Sequence, residues 1–375
     1  MRFKKLSVVA ISAALLMAGA TTTGAAPEPK EIYLIKFVDS ANFENEMAAL
    51  KTGGDDVKAE YGSLFNGAAV AMNSARAAAL ARNPRIEFIE QDAIATKQQV
   101  VDGSLWGLDR IDQANRPLNG NYDFQSTGAG VRAYVVDTGI DVSLAEFGGR
   151  AVWGKNFTGD GINSDCDGHG THVAGTIGSN TYGVAKGASL VAYKVLTCDG
   201  SGSYSGIISG LNDIAKTGIK PAVVNMSLGG PKSSALNTAI ASLTKAGFVV
   251  VVAAGNNGAN ACNYSPASAP SALTVGATTS TDVRSSFSNF GKCLDIFAPG
   301  SAISSVTPGG AVASWNGTSM ASPHVAGVAA RILSQTPTAS VATVSSLILS
   351  TASANKVSSA GGQSPNRLLF KAANS

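Results

Sequence analysis

The sequence predicts an α/β protein, a parallel sheet flanked by helices, preceded by a small α+β domain. Three observations predict it. After Gly103, short apolar β-branched runs alternate with helix-like stretches, the pattern of a parallel sheet covered on both faces. The segment before Gln99 contains no cysteine or histidine and has a charge balance of its own. Only 14% of the 375 residues are charged, while 42 are glycine and 45% are apolar, which argues against a disordered chain or a coiled coil.

The elements follow in chain order. Arg2, Lys4 and Lys5 precede an apolar stretch from Leu6 to Ala18 and then small residues, with cleavage points at Ala18 to Ala20 or Gly24 to Ala26. Residues 1–26 therefore read as a signal peptide and the protein as secreted. No later apolar run reaches the roughly 18 residues that a membrane span needs. Residues 27–98 hold 11 acidic and 8 basic side chains, alternating runs at Glu31 to Val38 and Ile86 to Ile94, and helix-like stretches at Ala41 to Lys51 and Ser74 to Ala81. In residues 99–375, strand-like runs at Val131 to Val136, Leu190 to Val195, Ala222 to Leu228, Phe248 to Ala254 and Ala272 to Val275 alternate with helical patterns. The helical patterns fall at Thr171 to Gly178, Ser205 to Thr217, Ser233 to Ala246, Ala321 to Ser334 and Ser340 to Leu349. Ligands of such sheets bind beyond the carboxyl ends of the strands, so residues just after these runs are the candidates. A net charge of +3 gives no basic stripe for a nucleic-acid partner.

Three motifs carry chemistry. Asp137 ends an apolar run as Val-Val-Asp-Thr-Gly; alone it is a turn-capping acid, and the paired carboxylates of an aspartic peptidase would need a second copy, which is absent. His169 and His172 lie in Asp-Gly-His-Gly-Thr-His. Their spacing could suit zinc, but a zinc site needs a third ligand, and His172 reads more simply as a packed helical residue. Ser319 lies in Asn-Gly-Thr-Ser-Met-Ala-Ser-Pro-His, at the start of a small-residue helix whose free N–H groups suit an oxyanion; an ordinary N-cap serine is the alternative. Together they acquire a different weight. A serine hydroxyl needs a base to take its proton, and the base needs a carboxylate to fix its tautomer; Ser319, His169 and Asp137 could supply those roles.

On these motifs, and on Ser227-Leu228-Gly229-Gly230, Ala253-Ala254-Gly255-Asn256 and Asn263-Tyr264-Ser265-Pro266-Ala267, the chain resembles the subtilases, in their proteinase K and aqualysin branch. The likeness runs from about Trp106 to Leu369 and includes the order Asp, His, Ser. The resemblance implies a subtilisin-like serine endopeptidase that works through an acyl-enzyme, with Asn256 and the Ser319 N–H as oxyanion donors and no catalytic metal. It implies that residues 27–98 are an inhibitory propeptide that assists folding and is removed by self-cleavage somewhere from Thr96 to Asp102. Protein or peptide substrates would lie as a strand between Gly200 to Ser205 and Ser227 to Gly230. Gly202, Tyr204, Ser227, Leu228, Gly229, Gly230, Ala253 and Gly255 are the implied contacts, favouring an apolar or aromatic residue before the cut.

Four cysteines permit three connectivities; the resemblance implies Cys166 with Cys198 and Cys262 with Cys293. It also implies structural calcium, held at one site by the carbonyls of Pro270 and Ala272 with the Asp295 carboxylate. A second site would use Asp109, Asp112, Gln113, Asn119 and Asn121. The expected partners are substrate and the chain's own propeptide, with no nucleic acid or membrane, and the expected state is a monomer. Two rival readings are a zinc hydrolase built on His169, His172 and His324, and a binding protein without activity. The second would typically have lost a triad residue or Asn256, and none is missing.

Overall fold

The computed structural model describes residues 29–96, 100–101 and 105–371. The signal-peptide reading and most of the predicted self-cleavage region lie outside the described residues. The N-terminal unit is an antiparallel sheet ordered Asp56–Glu60, Gly67–Met72, Glu31–Phe37, Ile86–Gln91, with helices Phe43–Thr52 and Ser74–Leu80. Both helices begin where an asparagine supplies a cap: Asn42 accepts from the N–H of Asn45, and Asn73 from that of Arg76. Alternation along Glu31–Phe37 splits the strand between two cores. Ile35 and Phe37 pack with Met47 and Leu50 of the unit's own helix. Leu34, with Tyr61, Phe65 and Ala69, joins the core beneath helices Tyr204–Thr217 and Ser234–Lys245 of the following domain.

That domain is built on a nine-stranded sheet, parallel except at one edge. The order is Ser353–Ala354, Arg367–Leu368, Ile296–Pro299, Leu273–Thr278, Val249–Ala253, Ala222–Met226, Arg132–Asp137, Ser189–Lys194, Ala151–Asn156. Only the Ser353–Ala354 pairing is antiparallel. Central strands read as continuous apolar runs because both faces are covered. Val223, Val249 and Val251 face helices His169–Gly178 and Thr318–Gln335, whereas Val224, Val250 and Val252 face Tyr204–Thr217 and Ser234–Lys245. After Arg132–Asp137 the chain adds two strands on one side and later six on the other, so this strand's carboxyl end is the topological switch point where such sheets hold their sites. Asp137 is its last residue.

The structure adds strands that the apolar runs do not reveal. Ala151–Asn156 is an edge strand with a mostly exposed or half-buried face, and Ile296–Pro299 is only four residues and ends in proline. Cys166 pairs with Cys198 and Cys262 with Cys293, with Cα atoms 5.1 and 5.3 Å apart. Loops of this size contribute about 3 to 4 kcal/mol each in the chain-entropy view. The first bridge ties the turn before His169 to the turn before strand Ser201–Ser203.

Candidate active site

Asp137 is fully buried, and its Oδ1 accepts the Thr138 N–H at 2.7 Å and lies 2.7 Å from His169 Nδ1. A carboxylate there requires the imidazole proton on Nδ1, which leaves Nε2 as the acceptor. Nε2 is buried and has no partner. Burial alone would lower the His169 pKa, but the Asp137 charge and hydrogen bond outweigh it and hold the ring above its ordinary value.

His169 opens its helix two residues before the predicted start, and local sequence explains the fit. Gly168 takes a left-handed φ of 105°. At Gly170 a Cβ would come within 2.1 Å of the Gly139 carbonyl, so only glycine lets the helix approach the Asp137 strand. Asp165, not singled out from sequence, accepts from the Thr138 hydroxyl at 2.9 Å and from the N–H groups of Gly168 and Thr171 at 2.8 Å each. It fastens the turn after Asp137 to the start of the His169 helix.

Ser319 is the second residue of helix Thr318–Gln335, which begins three residues before the predicted start and packs against the His169 helix. Its hydroxyl donates to the Ser227 carbonyl at 2.9 Å, so no Ser319 to His169 hydrogen bond is present. Asn256 follows strand Val249–Ala253, and its Oδ1 accepts from the Thr318 N–H at 2.9 Å and the Thr318 hydroxyl at 2.8 Å. That leaves the Nδ2 end as the donor for another group. Thr318 and Asn289 are further residues that sequence patterns do not mark. Buried Asn289 holds the Asn256 loop by donating to the Ala254 carbonyl at 2.8 Å and accepting from the N–H groups of Asn257 and Ala259.

Beside these groups lies a cavity of about 460 Å³ lined in part by Gly229, Gly230, Ala253, Gly255 and Ile94, with Lys232 its one charged lining residue. Leu228 does not line it; its side chain is buried in the core under the two outer helices. Tyr204 is also buried, its hydroxyl donating to the Pro231 carbonyl at 2.6 Å. Gly202 lies on strand Ser201–Ser203, which pairs antiparallel with Ile94–Thr96: Ser201 opposite Thr96, Gly202 opposite Ala95, Ser203 opposite Ile94. A Cβ on Gly230 would meet the Ile94 carbonyl at 2.6 Å, so the 94–96 segment runs between the two predicted substrate edges. Val100–Val101 pairs with Trp315 and Asn316, just before Ser319.

The three histidines do not converge. His172 Nε2 donates toward the carbonyls of Ile303 and Ala313 at 3.1 and 3.2 Å, its ring stacks on Trp315 at 4.3 Å, and burial pulls its pKa down to about 3. His324 Nδ1 donates to the Met320 carbonyl at 2.8 Å, and burial lowers its pKa to about 4. Among the described residues, no group of three or more His, Cys, Asp or Glu side chains is arranged to hold a metal.

The residues named for calcium are placed as follows. Asp109 accepts from the N–H groups of Asn119 and Gly120 at 3.2 and 2.8 Å and from the Gln113 side chain. Asn119 Oδ1 accepts the Asn121 N–H at 2.9 Å. Asp112 Oδ2 accepts the Asp123 N–H, while its Oδ1 is buried without a partner. Burial, reinforced by Asp109, pushes the Asp112 pKa up to about 6. A partnerless carboxylate oxygen in a carboxylate- and amide-rich loop fits a hard cation. Pro270 and Ala272 lie in the turn before strand Leu273–Thr278, where Asp295 accepts the Thr274 N–H at 2.8 Å and burial raises its pKa.

Comparison with known proteins gives consistent matches. Residues 128–368 match the Subtilase family. The chain is 51% identical over 320 residues to an extracellular serine proteinase of Thermus sp. (strain Rt41A), covering 84% of this chain and 78% of that protein. It is 51% identical over 253 residues to proteinase T of Parengyodontium album, covering 66% of this chain and 86% of that one. A solved cold-adapted subtilisin-like serine proteinase superposes with a TM-score of 0.69 at 52% identity, over 71% of this chain and 97% of that one.

Proposed function

Because this chain belongs to the subtilase family of serine endopeptidases, we propose that it is a secreted, calcium-stabilised endopeptidase in which Ser319 is the nucleophile, His169 the general base and Asp137 its orienting acid. The observation that carries this reading is the buried His169–Asp137 pair at 2.7 Å, whose outer nitrogen has no partner. Ser319 Oγ turns from the Ser227 carbonyl, gives its proton to His169 Nε2 and attacks the scissile carbonyl; such bonds often form only with substrate in place. Asp137 stabilises the imidazolium. The protonated His169 then gives the proton to the departing amine, and water repeats the sequence on the acyl ester.

The tetrahedral oxyanion is assigned to Asn256 Nδ2 and the Ser319 N–H, which lies in the helix's first turn where no intrahelical acceptor exists. Thr318 serves this arrangement by holding the other end of the amide. Asn256→Leu is expected to lower kcat about 10²- to 10³-fold, a range established in this same family, with little change in KM. Steady-state kinetics on a peptide amide check it; equal kcat in the variant would remove Asn256 from the oxyanion site.

Residues 27–98 are read as the inhibitory propeptide. In support, strand 94–96 pairs with Ser201–Ser203, one of the edges predicted for substrate, and 100–101 pairs with Trp315 and Asn316 just before Ser319. The self-cleaved bond is therefore assigned between Thr96 and Val100, which N-terminal sequencing of the mature protein would check. Two carboxylates anchor the docked unit on helix N-termini. Glu90 accepts from the N–H groups of Ser234 and Ala235 at 3.1 and 3.0 Å, and Asp92 from that of Ser205 at 3.0 Å. Each such cap contributes about 0.5 to 2 kcal/mol, so Glu90→Gln with Asp92→Asn is expected to weaken docking about 10- to 100-fold. After the cut, activity should appear correspondingly sooner than in the parent.

The glycine and alanine walls of the cavity support a preference for apolar or aromatic side chains before the cut. Calcium would be held by Asp109, Asp112, Gln113 and the Asn119 and Asn121 segment, and by Asp295 with the Pro270 and Ala272 carbonyls; it supplies charge neutralisation and loop order. Chelation is expected to lower the melting temperature and leave the initial rate at low temperature unchanged. A rate that collapsed before unfolding would contradict this division.

A further inference from the structure

A chain of buried polar groups behind Ser319 reaches beyond the triad, and its meaning rests on the reading of Ser319 as nucleophile. Pro323 lies inside helix Thr318–Gln335 and has no N–H to offer the carbonyl of Ser319, four residues before it. That carbonyl is met from outside the helix, by the Ser227 hydroxyl at 2.8 Å. A hydroxyl has a single proton and rotates to suit its surroundings, so something must aim it. Asn225 stands behind it, Nδ2 lying 2.9 Å from Ser227 Oγ and Oδ1 2.7 Å from Ser322 Oγ.

The donor count fixes the direction of every bond. Ser227 spends its proton on Ser319, so it must accept from Asn225, which presents its NH₂; the remaining amide end then accepts from Ser322. Asn225, Ser227, Ser319 and Ser322 are each no more than 1% exposed. Asn225 is itself held in the sheet, paired with Val135 on one side and Val251 on the other. Ser319 returns the contact by donating its own hydroxyl to the Ser227 carbonyl.

We propose that Asn225 is a positioning residue for Ser319: clamped by Ser322, it aims the Ser227 hydroxyl at the carbonyl that Pro323 leaves open, and so sets the first turn of the Ser319 helix against the sheet. Asn225→Asp is the sharpest probe. A carboxylate has no N–H to give, and it draws the Ser227 proton away from Ser319.

The test compares the parent, Asn225→Asp, Ser322→Ala, Ser227→Ala and the Asn225→Asp/Ser227→Ala double variant. Each is matured in trans by tagged parent enzyme that is then removed. Kinetics on a small peptide amide are read beside the rate at which a serine-directed phosphonylating reagent labels Ser319. Asn225→Asp is expected to lower kcat and the labelling rate together by about 10- to 100-fold with KM held within about threefold, and Ser322→Ala by about three- to tenfold. In the Ser227→Ala background, Asn225→Asp should cost no more than about twofold further, because the relay is already cut. A parent that is not labelled at Ser319 overturns the nucleophile reading and this proposal with it. A labelled parent with Asn225→Asp or Ser322→Ala at parental kcat, with a loss confined to KM, or with multiplicative effects of Asn225→Asp and Ser227→Ala, overturns the positioning role alone. If Asn225→Asp does not fold, Ser322→Ala decides by the same criteria.

Discussion

Ser319→Ala is expected to reduce peptide hydrolysis about a millionfold, the scale found when the serine of subtilisin itself is removed, and to leave the N-terminal unit covalently attached. Both effects have one cause. Strands Ile94–Thr96 and Val100–Val101 pair on either side of the site, which on the proposed reading puts the chain's own backbone in the place of a substrate. Removing the hydroxyl takes away the atom that attacks both that bond and any other. The fold should survive, because Ser319 loses only one side-chain hydrogen bond, to the Ser227 carbonyl, and the carbonyl of residue 319 still accepts from Ser227. Gel analysis of the secreted protein would show a single band at precursor size. Normal maturation of the purified variant would contradict self-cleavage.

Asp137→Asn is expected to lower kcat about 10⁴-fold while leaving the structure in place. Oδ1 of Asp137 accepts from the Thr138 N–H and is also the oxygen that faces His169 Nδ1, so an asparagine that places its NH₂ at that position presents His169 with a donor in place of an acceptor. The imidazole then favours the tautomer with its proton on Nε2, and the nitrogen that should accept from Ser319 becomes a donor. The charge effect adds to this. Asp137 is what lifts the His169 pKa above its ordinary value against the pull of burial, so its loss lowers that pKa. The base works only when neutral; in the parent, activity is lost as pH falls through a raised pKa. In the variant that acid limb should therefore move to lower pH even as the plateau drops.

What could be read in the sequence was what local pattern controls. The alternation of apolar runs and helical stretches gave the sheet and its flanking helices, and the short motifs located Asp137, His169 and Ser319. The two helices that carry His169 and Ser319 begin earlier than periodicity suggests, because glycines and Pro323 look like breakers although they sit inside or at the lip of the helix. Ala151–Asn156 escaped notice because an edge strand need not be apolar on both faces. Asp165, Asn225, Asn289 and Thr318 could not be singled out for a different reason: each makes at least one hydrogen bond to a residue between 27 and 97 positions away, and no local pattern encodes such a partner. The one available signal was polarity in the wrong place, as with Asn225 in the otherwise apolar run Ala222–Met226.

In the proposed reaction one hydroxyl, Ser319 Oγ, does the covalent work. Its most direct test is to treat the mature protein with a serine-directed phosphonylating reagent, follow activity to extinction and map the adduct by peptide mass spectrometry. One adduct per molecule is expected, on Ser319, with labelling and inactivation in step and no protection by a zinc chelator. Full activity after labelling, an adduct on another residue, or inactivation by the chelator alone would contradict it.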